Sequence, residues 1–262
     1  GGGTLVAVVS DDGEALGEHG ELTHGVLLHL PTLRAVFFLA GPGVEAGKAV
    51  RDLSGLEDVS ATILGRLAPG KPASSSDGRD LLALAGPSRP PKPLLLEAWL
   101  PFNQFRWCPL LGVTDGRYLW IRGRRDALFD VAAAPKESRD LSASPPSAAL
   151  GLKKSLPSLP TSSPQTGPVD EAIRGLGYAP VPGGSLKGAV LPDPRDRTDI
   201  LKLMATARLD RSLDNLDRAA RLYGQAAAQD PGNPSALFEW GETLRRSGKS
   251  AEALGALDRA IA

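Results

Sequence analysis

The chain of 262 residues carries 30 basic against 30 acidic side chains and no net charge at neutral pH, a balance that argues against nucleic acid or an anionic lipid surface as partner. Its one cysteine excludes an internal disulfide and a cysteine-based zinc site, and no run approaches the ~20 apolar residues of a membrane span. The length admits one large domain or two ordinary ones. The chain opens on Gly-Gly-Gly, with no initiator methionine and no basic segment, directly before a strand-like run. It therefore reads as a piece whose N-terminal half lies upstream.

Thr4 to Val9 is a continuous apolar, β-branched run of the kind buried on both faces of a sheet. Where it ends, Ser10 to Gly25 places adjacent carboxylates, Asp11 and Asp12, and two histidines, His19 and His24, among interleaved glycines. Sites in open α/β sheets lie beyond the carboxyl ends of strands, so this is the expected place for chemistry. Asp11 and Asp12 offer hard oxygens, suited to Ca²⁺, Mg²⁺ or Mn²⁺ before zinc. Taken alone, Asp11-Asp12-Gly13 would equally make a turn with an Asx cap. His29, inside Val26 to Leu30, reads as a partly buried histidine with a backbone partner. A second buried strand is expected over Leu33 to Ala40, closed by Gly41-Pro42-Gly43. From Leu56 to Leu67, apolar residues at Leu56, Val59, Ile63, Leu64 and Leu67 form a helical face, with Asp58 in its first turn.

Pro93 to Ala98 is strand-like. Pro109 to Thr114 and Arg117 to Ile121 flank Asp115-Gly116, a two-residue type I′ signal, and Ala127 to Val131 adds a further antiparallel strand. From Ser142 to Pro168 the chain turns rich in Ser, Pro and Thr, the composition of a linker. A short helix is expected at Asp170 to Tyr178, and Pro180 to Pro194 is a second linker.

Ser10 to Gly25 resembles the sulfatase family of the alkaline-phosphatase superfamily, whose segment reads S-D-H-G-E-x-L-G-E-H-G, followed by T-H-G in one bacterial branch. Further matches run through Thr32, Leu33, Arg34, Pro42 and Gly43, then Asp58, Thr62 and Leu64, then Asp77 to Leu82. The closing family pattern W-x-P-L-x-x-x-x-D-G-R-Y-K-x-I, with its D-P-x-E-x-x-N-L, is met by Trp107, Pro109, Asp115, Gly116, Arg117, Tyr118, Ile121, Leu128, Asp130, Pro135, Glu137 and Leu141. The resemblance implies that Asp11 ligates a divalent cation, most often Ca²⁺, and that His24 stands near the sulfate or leaving-group oxygen as donor or general acid. Asp12 departs from the usual His or Asn yet still offers a cation ligand. His19 is expected to shape the loop that faces substrate. Leu119 replaces the family lysine. Cys108 lacks the C-x-P-x-R context in which the family makes its formylglycine nucleophile, so that group is expected upstream, and Cys108 reads as a small core residue.

Toward the C-terminus, Ala219 and Tyr223 recur as Ala253 and Leu257, and Leu203 and Ala207 as Leu237 and Gly241, a shift of about 34 residues that resembles the tetratricopeptide repeat. Asn233-Pro234 supplies an N-cap and first position for a helix. Taken together, residues 1–141 are expected to be the C-terminal portion of an α/β sulfatase-like domain with an antiparallel hairpin subdomain, 142–195 a Ser/Pro-rich linker with a short helix, and 196–262 an all-α module of about two repeats, the second incomplete. The linker is expected to isolate that module. The implied function is metal-dependent sulfuric ester hydrolysis, with a protein or peptide partner on the repeats. Arg208, Arg211, Arg245, Arg246 and Lys249 would favour an acidic one. A non-catalytic scaffold and a phosphodiester or phosphonate hydrolase of the same superfamily are the alternatives. The resemblance is compatible with a cell-envelope or extracytoplasmic location without specifying one.

Overall fold

The computed structural model describes residues 3–68, 78–83, 92–159 and 190–261. Asp77, the helix expected at Asp170 to Tyr178 and most of the second linker lie outside them. Among the described residues there are two antiparallel sheets. The smaller pairs β1 (Val6–Val9) with β2 (Phe37–Ala40), Val6 opposite Ala40 and Val9 opposite Phe37. The larger is ordered β3 (Leu94–Ala98), β4 (Leu110–Thr114), β5 (Tyr118–Arg122), β6 (Asp126–Asp130), each strand antiparallel to the next. The run at 93–98 is thus an edge of the same sheet as the hairpin.

Alternation along β5 shows how the larger sheet is used. Tyr118 and Trp120 face one side and Leu119 and Ile121 the other, and all are buried. The first side is covered by α4 (Ser147–Lys153): Ala149, Leu152 and Leu156 pack on Trp120, whose indole N–H donates to the Ala149 carbonyl at 2.8 Å. The first part of the Ser/Pro-rich segment is therefore folded onto the sheet. Few apolar residues suffice there, because one large indole supplies the area. At the β4–β5 connection only Gly116 takes a positive φ (88°), and the Asp115 carboxylate accepts from the Arg117 and Tyr118 amides at 2.9 and 2.7 Å. A type I′ turn needs positive φ at both central residues. Here the Asp115 side chain caps the turn instead. Leu119, where the family has lysine, lies in the core.

The second side of the sheet belongs to a core shared with helices α5 (Thr198–Ser212), α6 (Leu216–Gln229) and α7 (Pro234–Arg246), while α8 (Ser250–Ile261) packs on α7. Consecutive helices pack on one another, and Ile200, Met204, Ala207, Tyr223, Ala226 and Leu237 join Trp107, Leu119, Ile121 and Phe129 in one continuous core. The expectation of an isolated helical module is overturned by that shared core. Polar contacts reinforce it. Trp107 Nε1 donates to Asp230 Oδ2 at 2.6 Å, Ser235 Oγ to the carbonyl of Gln104 in α3 (Leu100–Phe105) at 2.7 Å, and Arg125 pairs with both oxygens of Asp196 at 2.7 and 2.8 Å.

Three further expectations are corrected. β1 is exposed along its length, with Val6, Val8 and Val9 about half accessible, because it is paired on one edge and covered on neither face among the described residues. Leu33 ends the short helix α1 (Leu30–Leu33), and the strand expected from Leu33 begins only at Phe37. In α2 (Glu57–Leu67) the buried face is Asp58, Ala61 and Thr62, while Leu56, Leu64 and Leu67 face solvent. What buries that face is polar capture: Asp58 accepts from the Arg79 amide at 2.7 Å, and Thr62 Oγ1 from the Leu81 amide at 3.0 Å. The motif residues Asp58 and Thr62 thereby tie α2 to residues 79–81.

Candidate functional site at the end of β1

The loop after β1 is fixed at several points. The Ser10 amide donates to the Val36 carbonyl at 2.9 Å and the Val36 amide to Ser10 Oγ at 2.8 Å, locking the strand end to the neck of β2. Gly13 follows. A Cβ there would lie 2.1 Å from the Pro31 carbonyl oxygen, so the turn after the paired aspartates closes on α1 only with glycine. The Gly13 amide donates to the Thr32 carbonyl at 3.0 Å, and the Ala15 amide to the Thr23 carbonyl at 3.0 Å. Glu21 is buried and accepts from the Val26 and Leu27 amides at 2.9 and 3.0 Å, closing the bend that carries Thr23-His24-Gly25. Burial pushes the Glu21 carboxyl pKa up against the pull of those two amides.

This scaffold brings His24 beside Asp12 and Glu14. His24 Nδ1 stands 3.1 Å from Glu14 Oε2, and Nε2 stands 3.5 Å from Asp12 Oδ2, with all three side chains about half exposed. The Glu14 carboxylate raises the imidazole's pKa and Asp12 adds to it, against a smaller desolvation effect. Asp11 and Asp12 lie on the rim of an open groove of about 760 Å³ that also touches Gly25, Arg34, Glu57 and the apolar edge of β3. Carboxylate oxygens open to a groove fit a hard divalent cation by donor chemistry. By number they are a part of the six to eight oxygens that Ca²⁺ takes.

His19 is placed elsewhere. It sits in a turn of 3-10 helix (Glu18–Gly20) with φ of 53°, its ring stacked on that of His29 at 3.7 Å and 6°. Its Nε2 lies 3.2 Å from Glu137 Oε2, and His29 Nδ1 lies 3.3 Å from Glu137 Oε1. His29 is buried against this carboxylate rather than paired with backbone. Its imidazole pKa is pushed down by burial, more than Glu137 lifts it. For Glu137 burial works upward, but the two imidazoles outweigh it and hold the carboxyl at about 2. Among the described residues, His19, His29 and Glu137 are the one group of three such side chains close enough to share an ion.

Sequence reasoning singled out neither Glu14 nor Glu137 for a site. Glu14 lies two residues beyond the paired aspartates, a spacing that does not by itself reveal a contact with His24. Glu137 was visible as a motif position, and the acid of D-P-x-E was the signal that could have located it. Of the five basic residues on the helices, Arg211 pairs with Glu239, Arg245 with Glu242 at 2.6 Å, Arg246 with Asp214 at 3.6 Å and Lys249 with Asp217 at 2.6 Å. Internal pairing accounts for most of that basic face. Cys108 is buried, as expected of a core residue.

No protein-family profile matches the chain, and no curated protein matches it. Among solved structures it is similar to a candidate sulfatase, yidJ, of Bacteroides fragilis, at 16% identity and a TM-score of 0.49 over 58% of this chain and 34% of that one. It is also similar to a phosphonate monoester hydrolase of Silicibacter pomeroyi, at 20% identity and 0.45 over 57% and 32%. A candidate sulfatase of Bacteroides thetaiotaomicron matches at 19% identity and 0.45 over 58% and 34%. The chain spans about a third of the length of each of these structures.

Proposed function

We propose that this chain carries part of the site of a metal-dependent sulfuric ester hydrolase, with Asp11 and Asp12 as ligands of the cation and His24 acting on the ester. The observation that carries the proposal is the clustering of Asp12, Glu14 and His24 at the end of β1, with Asp11 and Asp12 lining the groove, within the stretch that resembles the sulfatase segment. A bound divalent cation, Ca²⁺ by the donor chemistry and Mg²⁺ or Mn²⁺ as substitutes, would polarise the ester and offset charge on the transferring group. Asp11 and Asp12 would hold it from one side. His24, braced by Glu14 at Nδ1, would donate a hydrogen bond or proton from Nε2, which now faces Asp12, to a sulfate or leaving-group oxygen. The nucleophile, a formylglycine by family resemblance, is not supplied by Cys108, which is buried and out of its motif.

The four helices are proposed to be tetratricopeptide repeats. Supporting this, residues one period apart occupy matching places: Ala219 and Ala253 are buried in α6 and α8, and Gly241, where Ala207 stands one repeat earlier, is so close to α8 that a Cβ would meet Leu257 Cγ at 2.7 Å. A protein or peptide partner would use the helix surfaces turned away from the sheet.

The test uses the full-length protein that contains this segment. Asp11→Ala should lower cation occupancy and aryl sulfate hydrolysis together. His24→Ala should lower kcat by about 10²-fold or more with the cation still bound, as loss of a general acid does. Unchanged metal content in Asp11→Ala together with an unchanged rate in His24→Ala would overturn the proposal.

A further inference from the structure

The cluster of His19, His29 and Glu137 lies apart from the proposed ester site and brings together three segments: the turn at Glu18–Gly20, the residue before α1 and the segment after β6. One donor atom from each side chain lies within 4.8 Å of the others, and the two nitrogen–oxygen separations, 3.2 and 3.3 Å to different oxygens of Glu137, are near the ~3.3 Å between neighbouring donors around a tetrahedral zinc. Glu137 Oε2 accepts from the Leu30 amide at 3.1 Å, but the other half of the cluster is unsatisfied. His29 Nδ1 and Glu137 Oε1 face each other without hydrogen-bond alignment and have no other partner, although the His29 side chain is 7% exposed and that of Glu137 fully buried. Unpartnered buried polar atoms are costly, and a cation between them would satisfy both.

We propose that His19 Nε2, His29 Nδ1 and Glu137 form a binding site for a zinc-class divalent ion, distinct from the hard-cation ligands Asp11 and Asp12. Two imidazoles with one carboxylate suit zinc and its relatives, whereas Ca²⁺ takes oxygen shells. One rearrangement is required. Parallel stacked rings cannot both aim an in-plane lone pair at one ion, so His19 must turn out of the stack. It is the member free to do so, being 22% exposed and on a three-residue turn. Three protein donors leave the fourth tetrahedral position to solvent on the His19 side. The ion would clamp the turn to α1 and to the sheet's closing segment, a structural role independent of the ester site.

The chain, stripped with chelator, is titrated with Co²⁺ as a spectroscopic probe and then with Zn²⁺ in competition. One equivalent of Co²⁺ should develop the visible absorption of a tetrahedral N/O site, and Zn²⁺ should displace it while Ca²⁺ does not. His19→Ala, the partly exposed member and so the variant most apt to fold, should weaken Zn²⁺ binding by more than about ten-fold, since even a residue behind a ligand is worth that much. Circular dichroism checks its fold, and Glu137→Gln is the second variant. Asp11→Ala should bind Zn²⁺ like the parent chain, which separates this site from the proposed ester site. Failure of the parent chain to take up Co²⁺ or Zn²⁺, or equal affinity in a folded His19→Ala, would overturn the proposal and leave the cluster as two stacked histidines packed on one carboxylate.

Discussion

Cys108 shows how position decides whether a reactive side chain does chemistry. Burial pushes its thiol pKa up from 9.0 to about 11, and the nearby Asp193 carboxylate adds to this against Arg195 and Arg124. A thiolate is the nucleophile, so the folded chain should react with a thiol reagent at pH 8 far more slowly than the unfolded chain. Prompt labelling of the native protein would contradict this placement. The sign of the linkage follows from the same shift. Because the folded state disfavours the thiolate, stability is unaffected below pH 9 and falls as pH rises from 9 toward 11, by at most about 2–3 kcal/mol. Denaturation midpoints of the parent and Cys108→Ala compared across that window should converge if the thiol is responsible.

At the scale of elements, the local signals that proved reliable were those whose chemistry is complete within a few residues. Asn233 caps α7 through Oδ1, which accepts from the Ala236 amide at 3.1 Å, and Pro234 opens the helix. Asn233→Ala should cost about 1–2 kcal/mol in chemical denaturation, while Asn233→Ser, which keeps an acceptor, should recover most of it. Equal loss in both would mean that the side chain's packing matters more than its cap. The antiparallel strands 110–114, 118–122 and 126–130 were legible for a similar reason, since alternation and a turn residue suffice to place them. The buried faces of β1 and α2 were not. Which side of an element is covered depends on partners remote in sequence, and in α2 polar capture by residues 79–81 prevailed over the leucine stripe. In the candidate site, the meeting of Asp12 with His24 lies inside one motif and could be anticipated. The carboxylate that gathers His19 and His29 comes from beyond the sheet, and nothing local to either histidine announces it.

For the whole molecule, the consequence of the shared core is that the helices are part of what keeps the sheet folded. Composition points to a boundary after residue 141, yet Trp107, Leu119, Ile121 and Phe129 share one buried core with residues of α5 and α6, and the Trp107 indole is satisfied by Asp230. Removing residues 196–262 would open that core, at about 1.5–3 kcal/mol for each large side chain exposed. Several such losses together rival the ~5–15 kcal/mol that holds a typical domain folded. Residues 1–195 alone should therefore unfold without a cooperative thermal transition and bind a hydrophobic dye, whereas the full chain melts in one transition followed equally by helix and tryptophan signals. Trp107→Phe in the full chain gives the graded version. It leaves the buried Asp230 carboxylate without its donor and should lower stability by about 2–3 kcal/mol. A soluble, cooperatively folded 1–195 fragment with the thermal midpoint of the full chain would show that the helices only rest on the sheet. In that case the helices could be deleted without unfolding the sheet, which the shared core argues against.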